Sequence, residues 1–208
     1  MMPDGGAALL PDLIVSRETI ARLQALTDML SKWNKAVNLV SKTTIEQAWH
    51  RHILDSAQVF QYGRDAPHWA DIGSGGGFPG LVVAILADEL APNMRVTLVE
   101  SDQRKAAFLR TTANALGLKT FVLTDRAEAI SSLSADILSA RALAPLSVLC
   151  GIAKRHLADG GAGVFLKGKT SAAEVVDAKK DWQFDYDTHP SATDPLAVIL
   201  VLKGIAHV

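Results

Sequence analysis

Apolar residues recur at three- and four-residue steps over residues 16–37, the spacing of an amphipathic helix. The stripe consists of Ile20, Leu23, Leu26, Leu30, Trp33 and Val37. Ser16 is predicted to cap this helix. A second helix is predicted to start at Thr43 or Thr44 and to run towards Phe60. Two helices cannot form a hydrophobic core by themselves, so we expect them to pack on the remainder of the chain.

From His68 onwards, short β-rich runs alternate with helical stretches. The predicted strands are Trp69–Ile72, Val96–Glu100, Thr120–Leu123, Asp136–Ala140 and Gly163–Lys167, followed by two final strands near Trp182–His189 and Ala197–Lys203. Helices are predicted from Pro79 and over Gln103–Leu116, Leu146–His156 and Ser171–Lys180. Such alternation is typical of a mostly parallel, twisted sheet with helices on both faces.

This pattern predicts an α/β, Rossmann-like fold with an N-terminal helical cap. The two final strands have no helix between them, which predicts an antiparallel C-terminal edge strand. Residues 1–65 are expected to form the helical extension and residues 66–208 the main domain, packed together as one compact unit.

The composition fits an ordinary globular protein, since 49% of the 208 residues are hydrophobic and 21% are charged. A single cysteine cannot form an internal disulfide, which favours a reducing compartment. The first fifteen residues lack the basic start of a signal peptide, and no apolar run reaches the length of a membrane span. We therefore expect a cytoplasmic protein with no membrane partner.

The net charge of −1 argues against a protein that coats nucleic acid non-specifically. The charge is unevenly distributed, however. The segment 32–52 carries four lysines and arginines and two histidines against one acid, namely Lys32, Lys35, Lys42, Arg51, His50 and His52 against Glu46. This segment can hold a few phosphates or can be a solvated helix face, and charge alone does not decide between the two.

The sharpest motif is the stretch DIGSGGGFPG at residues 71–80. A predicted strand ends in an acid, and glycines then alternate through a tight turn into a helix. Gly73, Gly75 and Gly77 allow positive φ angles and a close approach of the backbone to a ligand. A glycine pattern alone is weak, but the strand–loop–helix context strengthens it.

The loop favours S-adenosylmethionine over a dinucleotide. It contains no Lys or Arg, and Pro79 removes one N–H donor from the helix start, where dehydrogenases hold a pyrophosphate. Asp71 is placed to lie near the methionyl ammonium. Glu100 ends the next strand and is placed to accept hydrogen bonds from the ribose hydroxyls, with Asp102 as the alternative if that strand is longer. NAD binding remains a competing interpretation of the same fingerprint.

Several stretches resemble the RsmG (GidB) family, the bacterial guanine-N7 methyltransferases of small-subunit rRNA. They are WNKAVNL at 33–39, RHILDS at 51–56, the glycine loop with its FPG ending, RAE at 126–128, SARA at 139–142 and LKGK at 166–169. The resemblance covers residues 25–203, and its first two stretches are the specific part. Gly76 stands where proline is more usual in the family.

The resemblance implies a class I methyltransferase sheet with cofactor contacts at Gly73, Phe78, Ala127, Glu128 and Arg141. Together with the residues named above, the predicted S-adenosylmethionine site consists of Asp71, Gly73, Gly75, Gly77, Phe78, Glu100, Ala127, Glu128 and Arg141. No metal site is predicted.

The chemistry of guanine N7 fits the motifs that are missing. Amino-group methyltransferases carry an Asn/Asp-Pro-Pro-aromatic motif where this chain has residues 139–142, and cytosine-C5 enzymes need a nucleophilic cysteine. Cys150 lies within a predicted helix and is expected to be a buried structural thiol. The N7 lone pair is already nucleophilic, so positioning of donor and acceptor suffices.

The candidates for shaping the acceptor pocket are Asn34, Asn38, His52, Asp55, Arg141 and Lys167. Each has a structural alternative that stays open. The two asparagines also suit the end of the first helix, and His52 and Asp55 have the spacing of a surface pair. Lys167 can follow RNA backbone or solvate a loop.

The expected partner is small-subunit rRNA. Because a protein with a near-neutral net charge can neutralise few phosphates, we expect this rRNA to be bound within a ribonucleoprotein or ribosomal subunit. DNA is not expected as a partner, and a monomer is favoured. Two alternatives remain: a methyltransferase of small molecules or proteins on the same fold, and a nucleotide-binding module without methyl transfer.

Overall fold

The computed structural model of this protein describes residues 7–208, except for the side chains of Ala7 and Lys42. Residues 1–6 belong to the predicted extension and to the segment in which no signal peptide is expected, and they lie outside the described residues. Within the described part of the chain, no helix combines the length and the apolar character that a membrane span requires.

A seven-stranded sheet forms the centre of the molecule. Its strands are β3 (His68–Ile72), β4 (Arg95–Val99), β5 (Thr120–Leu123), β6 (Ala135–Arg141), β7 (Leu157–Lys167), β8 (Trp182–Pro190) and β9 (Val198–His207). Their order across the sheet is β5-β4-β3-β6-β7-β9-β8. The first five are parallel, and β9 is antiparallel to both of its neighbours.

Helices cover both faces of this sheet. They are α4 (Gly80–Leu90), α5 (Gln103–Ala115), α6 (Leu146–His156) and α7 (Ser171–Ala178). Successive strand residues point to opposite faces, so Ile137 joins the core with α4 and α5 while Leu138 joins the core with α6 and α7. The predicted α/β, mostly parallel architecture is confirmed.

The predicted position of the last strand needs one correction. β9 is antiparallel as expected, but it lies one place inside the sheet, and β8 forms the edge. The burial of the two strands explains this order. Residues 199–202 of β9 are consecutively buried, which suits an interior strand, whereas most residues of β8 are exposed.

The N-terminal cap begins with a short hairpin that sequence patterning did not predict, β1 (Ala7–Leu10) with β2 (Leu13–Val15). Helix α1 spans Arg17–Trp33, and Ser16 caps it as predicted by accepting a hydrogen bond from the Thr19 N–H at 3.2 Å. The helix ends four residues earlier than predicted, and Asn34 follows it.

The predicted helix from residue 43 to 60 is wrong as a single element. The structure has α2 (Lys42–Ile45), a π-helical segment (Trp49–Leu54), α3 (Asp55–Ala57) and a 3-10 turn (Phe60–Tyr62). Apolar spacing identifies the buried side but does not distinguish α-helical from π-helical turns. π-Helical turns occur frequently at functional sites.

Hydrogen bonds and shared apolar packing attach the cap to the sheet. The backbone N–H and the hydroxyl of Ser16 both donate to the carboxylate of Glu89 on α4. Arg22 forms an ion pair with Asp88 of the same helix. Leu23, which is fully buried, belongs to the same apolar cluster as the residues of α4. The cap therefore has a fixed position beside the sheet.

Candidate active site

A cleft of about 920 Å³ opens at the carboxyl edge of the parallel strands. The glycine loop and the loop after β6 line this cleft. The π-helical segment and the β8–β9 turn, residues 191–197, also contribute to its lining. In open α/β sheets ligands bind at this edge, so the cleft is the candidate active site.

The glycine loop has the conformation expected from its sequence. Gly73, Gly75 and Gly77 have φ angles of 67°, 53° and 87°, a region that side chains disfavour. A Cβ at Gly73 would lie 2.6 Å from Leu143 Cδ1. At Gly75, by contrast, a Cβ would be 3.7 Å from the nearest described atom, the Gly73 carbonyl oxygen. The loop therefore leaves room for a ligand against bare backbone.

Asp71, predicted to lie near the methionyl ammonium, is fully buried behind this loop. Its Oδ1 accepts a hydrogen bond from Ser139 Oγ at 2.7 Å, and its Oδ2 accepts one from the Gly80 N–H at 3.1 Å. Burial raises the pKa of this carboxyl to about 6, and hydrogen bonds from the same partners oppose that shift. Asp71 thus ties the start of α4 to β6, and its contact with a ligand stays a prediction.

Glu100 follows directly after β4 and is buried. Its carboxylate accepts hydrogen bonds from the backbone N–H groups of Gly75 and Asp102, both at 2.8 Å. The side chain of Asp102 has a different task, because it caps α5 by accepting from two backbone N–H groups. Of the two acids, only Glu100 contacts the glycine loop through its side chain.

A second cavity of about 460 Å³ is lined by residues 101–103 and 124–126, after the ends of β4 and β5. The predicted cofactor residues Ala127 and Glu128 follow the second of these segments and are not part of the lining. Ala127 is buried, and its carbonyl accepts a hydrogen bond from His156 Nε2 at 2.8 Å. Glu128 is exposed.

Arg141 joins β6 to the π-helical segment. Its Nη1 donates to the Arg51 carbonyl and to Asp55 Oδ2, both at 3.1 Å, and its Nη2 donates to His52 Nδ1 at 3.0 Å. The guanidinium carbon also lies 5.1 Å from the centroid of the Phe78 ring. Four predicted site residues from three parts of the sequence thus meet in one cluster: His52, Asp55, Phe78 and Arg141.

The hydrogen bonds of His52 define its tautomer. Because a guanidinium can only donate, His52 Nδ1 must accept from Arg141, and the proton lies on Nε2, which donates to Thr44 Oγ1 at 3.0 Å. The imidazole also stacks on Phe78 with ring centroids 4.9 Å apart. Burial and the neighbouring Arg141 charge lower the pKa of His52 to about 4, so it is neutral at physiological pH.

The lowered pKa of His52 predicts a pH-dependent stability. In the unfolded chain this imidazole gains its proton near pH 6.5, whereas the folded protein resists protonation until about pH 4. The neutral His52 therefore contributes fully to the free energy of unfolding above pH 6.5, and this contribution is lost as the pH falls towards 4. Between pH 7.5 and pH 5 we expect His52 to account for about 2 kcal/mol of lost stability.

Urea unfolding of the wild type and of His52→Asn at these two pH values measures this difference. His68 and His156 also have lowered pKa values, but they are present in both proteins and cancel in the comparison. An equal pH dependence in the two proteins would contradict the assignment.

Lys167 lies in the cleft but is engaged by the protein itself. Its ammonium forms an ion pair with Glu174 at 2.6 Å and donates to the Ala144 carbonyl at 2.8 Å. Its side chain is only 9% exposed. In this arrangement Lys167 fixes the loop after β6, and a role in contacting RNA stays a prediction.

The two candidate asparagines differ in their surroundings. Asn34 Oδ1 accepts hydrogen bonds from the N–H groups of Leu39 and Val40, and its Nδ2 donates to the Val40 carbonyl. Asn34 therefore stabilises the turn after α1, in agreement with the structural interpretation that placed it at the end of the first helix. Asn38 is exposed and does not line the cleft, although its neighbour Leu39 does.

Sequence patterning missed several residues that line the cleft. They are Thr44, Gln58, Glu174, Ser191 and Asp194. They lie far apart in the chain and carry no motif, so nothing in the sequence could have grouped them. Cys150 is fully buried as expected, and burial raises the pKa of its thiol to about 11. Among the described residues, no group of His, Cys, Asp and Glu is placed to hold a metal ion.

A family model described as GidB, rRNA small subunit methyltransferase G, matches residues 19–195. The chain belongs to the rRNA small subunit methyltransferase G family. It is 49% identical over 207 residues to the protein of this name from Ruegeria sp. (strain TM1040), with 100% of both chains covered. It is 51% identical over 198 residues to that from Cereibacter sphaeroides, covering 94% of this chain and 95% of the relative.

Solved structures share the fold of this rRNA small subunit methyltransferase G family member. An O-methyltransferase from Bacillus cereus in complex with SAH has a TM-score of 0.58 at 14% identity, covering 86% of this chain and 90% of that one. A SAM-dependent methyltransferase from Aquifex aeolicus has a TM-score of 0.59 at 14% identity, covering 83% and 97%. The predicted family and the methyltransferase activity are confirmed by the family model and the relatives. The solved structures confirm the predicted fold class.

Proposed function

We propose that this protein transfers the methyl group of S-adenosylmethionine to N7 of a guanine in small-subunit rRNA, in the cytoplasm and within a ribosomal particle. The observation that carries the proposal is the match of the family over nearly the whole chain. The structure supports it with a glycine loop and a cleft at the same edge of the sheet.

The residues at the glycine loop fit S-adenosylmethionine. The backbone of Gly75 has open space beside it and would face the methionine part. Glu100 is the carboxylate that would receive the ribose hydroxyls, and the cavity between residues 101–103 and 124–126 has room for the adenine. When bound, the donor supplies an activated methyl group on a sulfonium.

The acceptor side of the cleft fits a reaction that needs no base. His52 is neutral, but Arg141 occupies its Nδ1 and its Nε2 carries the proton. Its pKa of about 4 also makes it a weak base. Guanine N7 needs no deprotonation, so these residues contribute by holding Arg141 in place, and the rate enhancement comes from positioning.

The charges around the cleft favour an assembled particle over free RNA as the substrate. Arg51 is paired with Asp194, and Lys167 is paired with Glu174. These two cations are already partly neutralised within the protein, and a chain with a net charge of −1 can neutralise few phosphates in addition. Ribosomal proteins or folded rRNA would then provide the rest of the docking surface.

Comparison of rRNA from a strain lacking this protein with rRNA from its parent tests the proposal. We expect one N7-methylguanine in small-subunit rRNA to disappear and to return on complementation with the wild-type chain. In vitro, purified protein should methylate unmodified small subunits faster than naked rRNA. Unchanged N7-methylguanine in the deletion strain would refute the proposed reaction.

A further inference from the structure

The β8–β9 turn forms one wall of the cleft through Ser191, Asp194 and Ala197. The ladder between the two strands extends to the pairing of Pro190 with Val198, and the turn lies beyond it. One backbone hydrogen bond continues the hairpin into the turn, from the Ser191 N–H to the Ala197 carbonyl at 3.0 Å. The position of residues 192–196 against the cap also depends on contacts with the cap itself.

Gln58 supplies two of those contacts and a third bond within the cap. Its Oε1 accepts a hydrogen bond from the Ala192 N–H at 2.8 Å, and its Nε2 donates to Ser191 Oγ at 3.1 Å and to Asp55 Oδ1 at 2.9 Å. The residue is 4% exposed. One buried amide thus bridges the turn and the cap, with both amide protons and the carbonyl oxygen engaged.

Asp55 extends this connection to Arg141. Its Oδ1 accepts from Gln58 and from Thr193 Oγ1, the latter at 2.9 Å, while its Oδ2 accepts from Arg141. The turn, the cap and the end of β6 therefore share a single carboxylate. Displacement of the turn would change the hydrogen bonding of the carboxylate that orients the Arg141 guanidinium.

The remaining polar link between the turn and the cap is weaker. Arg51 and Asp194 form an ion pair at 3.0 Å, but their side chains are 40% and 31% exposed. Exposed pairs contribute little because solvent screens them, whereas a buried polar group that loses its partners carries a larger penalty. Gln58 is the main polar fastening of this wall.

We propose that Gln58 is a positioning residue for the RNA substrate: it holds the β8–β9 turn as a wall of the cleft and keeps Asp55 aligned with Arg141. This inference rests on the proposed function. Gln58 does not contact the glycine loop in the structure, so its effect falls on the acceptor and not on the methyl donor. Small displacements of a substrate-positioning wall reduce catalysis strongly.

The test uses Gln58→Met, which keeps the side-chain length and removes all three hydrogen bonds. With unmodified small subunits as substrate, we expect KM for the subunits to rise about tenfold or more. The Kd for S-adenosylhomocysteine should stay within about twofold of the wild-type value, because the glycine loop is untouched. Hydrogen exchange of the peptide covering residues 191–197 should accelerate about tenfold or more.

Gln47→Met is the matched control. Gln47 also belongs to the N-terminal cap, but it is exposed and does not line the cleft. It should leave all three measurements unchanged. If Gln58→Met fails to fold, Thr193→Val removes one bond to Asp55 from the turn side and should give the same changes at about threefold.

Unchanged KM together with unchanged exchange of the turn would overturn the inference. A parallel rise in the Kd for S-adenosylhomocysteine would also overturn it, because it would show general loosening of the site. Inactive wild-type protein would instead reject the proposed function, and the hydrogen-exchange result would still report on whether Gln58 holds the turn.

Discussion

Replacing Arg141 with methionine is expected to lower kcat/KM at least about a hundredfold and to destabilise the protein by roughly 3 kcal/mol. The guanidinium connects β6 to Asp55, His52 and the Arg51 carbonyl. Asp55 would lose its cationic partner although its side chain is only 17% exposed, and His52 Nδ1 would lose its donor. Both losses disturb the acceptor side of the cleft.

Methylation assays on unmodified small subunits and urea unfolding measure the two effects. Arg22→Met is the control, because Arg22 pairs with Asp88 on the surface, with side chains 37% and 35% exposed. It should cost less than about 1 kcal/mol and leave activity unchanged. Retention of more than a third of the activity by Arg141→Met would show that this cluster is only structural.

Glu100→Ala is expected to weaken binding of S-adenosylhomocysteine more than about tenfold, measured by calorimetry. The carboxylate is the acid that reaches the glycine loop, where the ribose hydroxyls would need an acceptor. The substitution should also lower the free energy of unfolding by about 1–3 kcal/mol, because the N–H groups of Gly75 and Asp102 would lose their acceptor.

Asp102→Asn tests which of the two acids, Glu100 or Asp102, accepts the hydrogen bonds of the ribose, a choice that the sequence left open. An asparagine is also a good N-cap, so α5 should be retained and the affinity should change less than about threefold. A larger loss of affinity in Asp102→Asn than in Glu100→Ala would show that the ribose acceptor has been assigned to the wrong residue.

The short-range patterns of the sequence predicted the elements well. Strand β5 and helix α6 have the predicted bounds, and Ser16 caps α1. Positive φ angles occur at Gly73, Gly75 and Gly77 as expected. These features depend on local backbone preferences and on the periodicity of apolar residues, and both are visible in a short stretch of chain.

Such patterns could not predict the π-helical turn or the position of β9 in the sheet. An apolar residue every three or four positions fits both α- and π-helical turns. The order of the last two strands depends on how each covers the sheet, which is a property of the assembled layers. The predicted division at residue 65 is not tested by these features and stays a prediction.

The sequence by itself determined the fold class, the bare glycine loop and, through its motifs, the family, because each depends on residues that are close together in the chain. Only the tertiary structure decided the chemical state and the partners of the cleft residues. Arg141 meets His52 and Asp55 across about ninety residues of chain, and Gln58 meets the β8–β9 turn across more than 130. Burial and hydrogen bonding between such distant segments keep the His52 imidazole neutral and hold the Lys167 ammonium in its ion pair with Glu174. No local sequence pattern encodes these contacts.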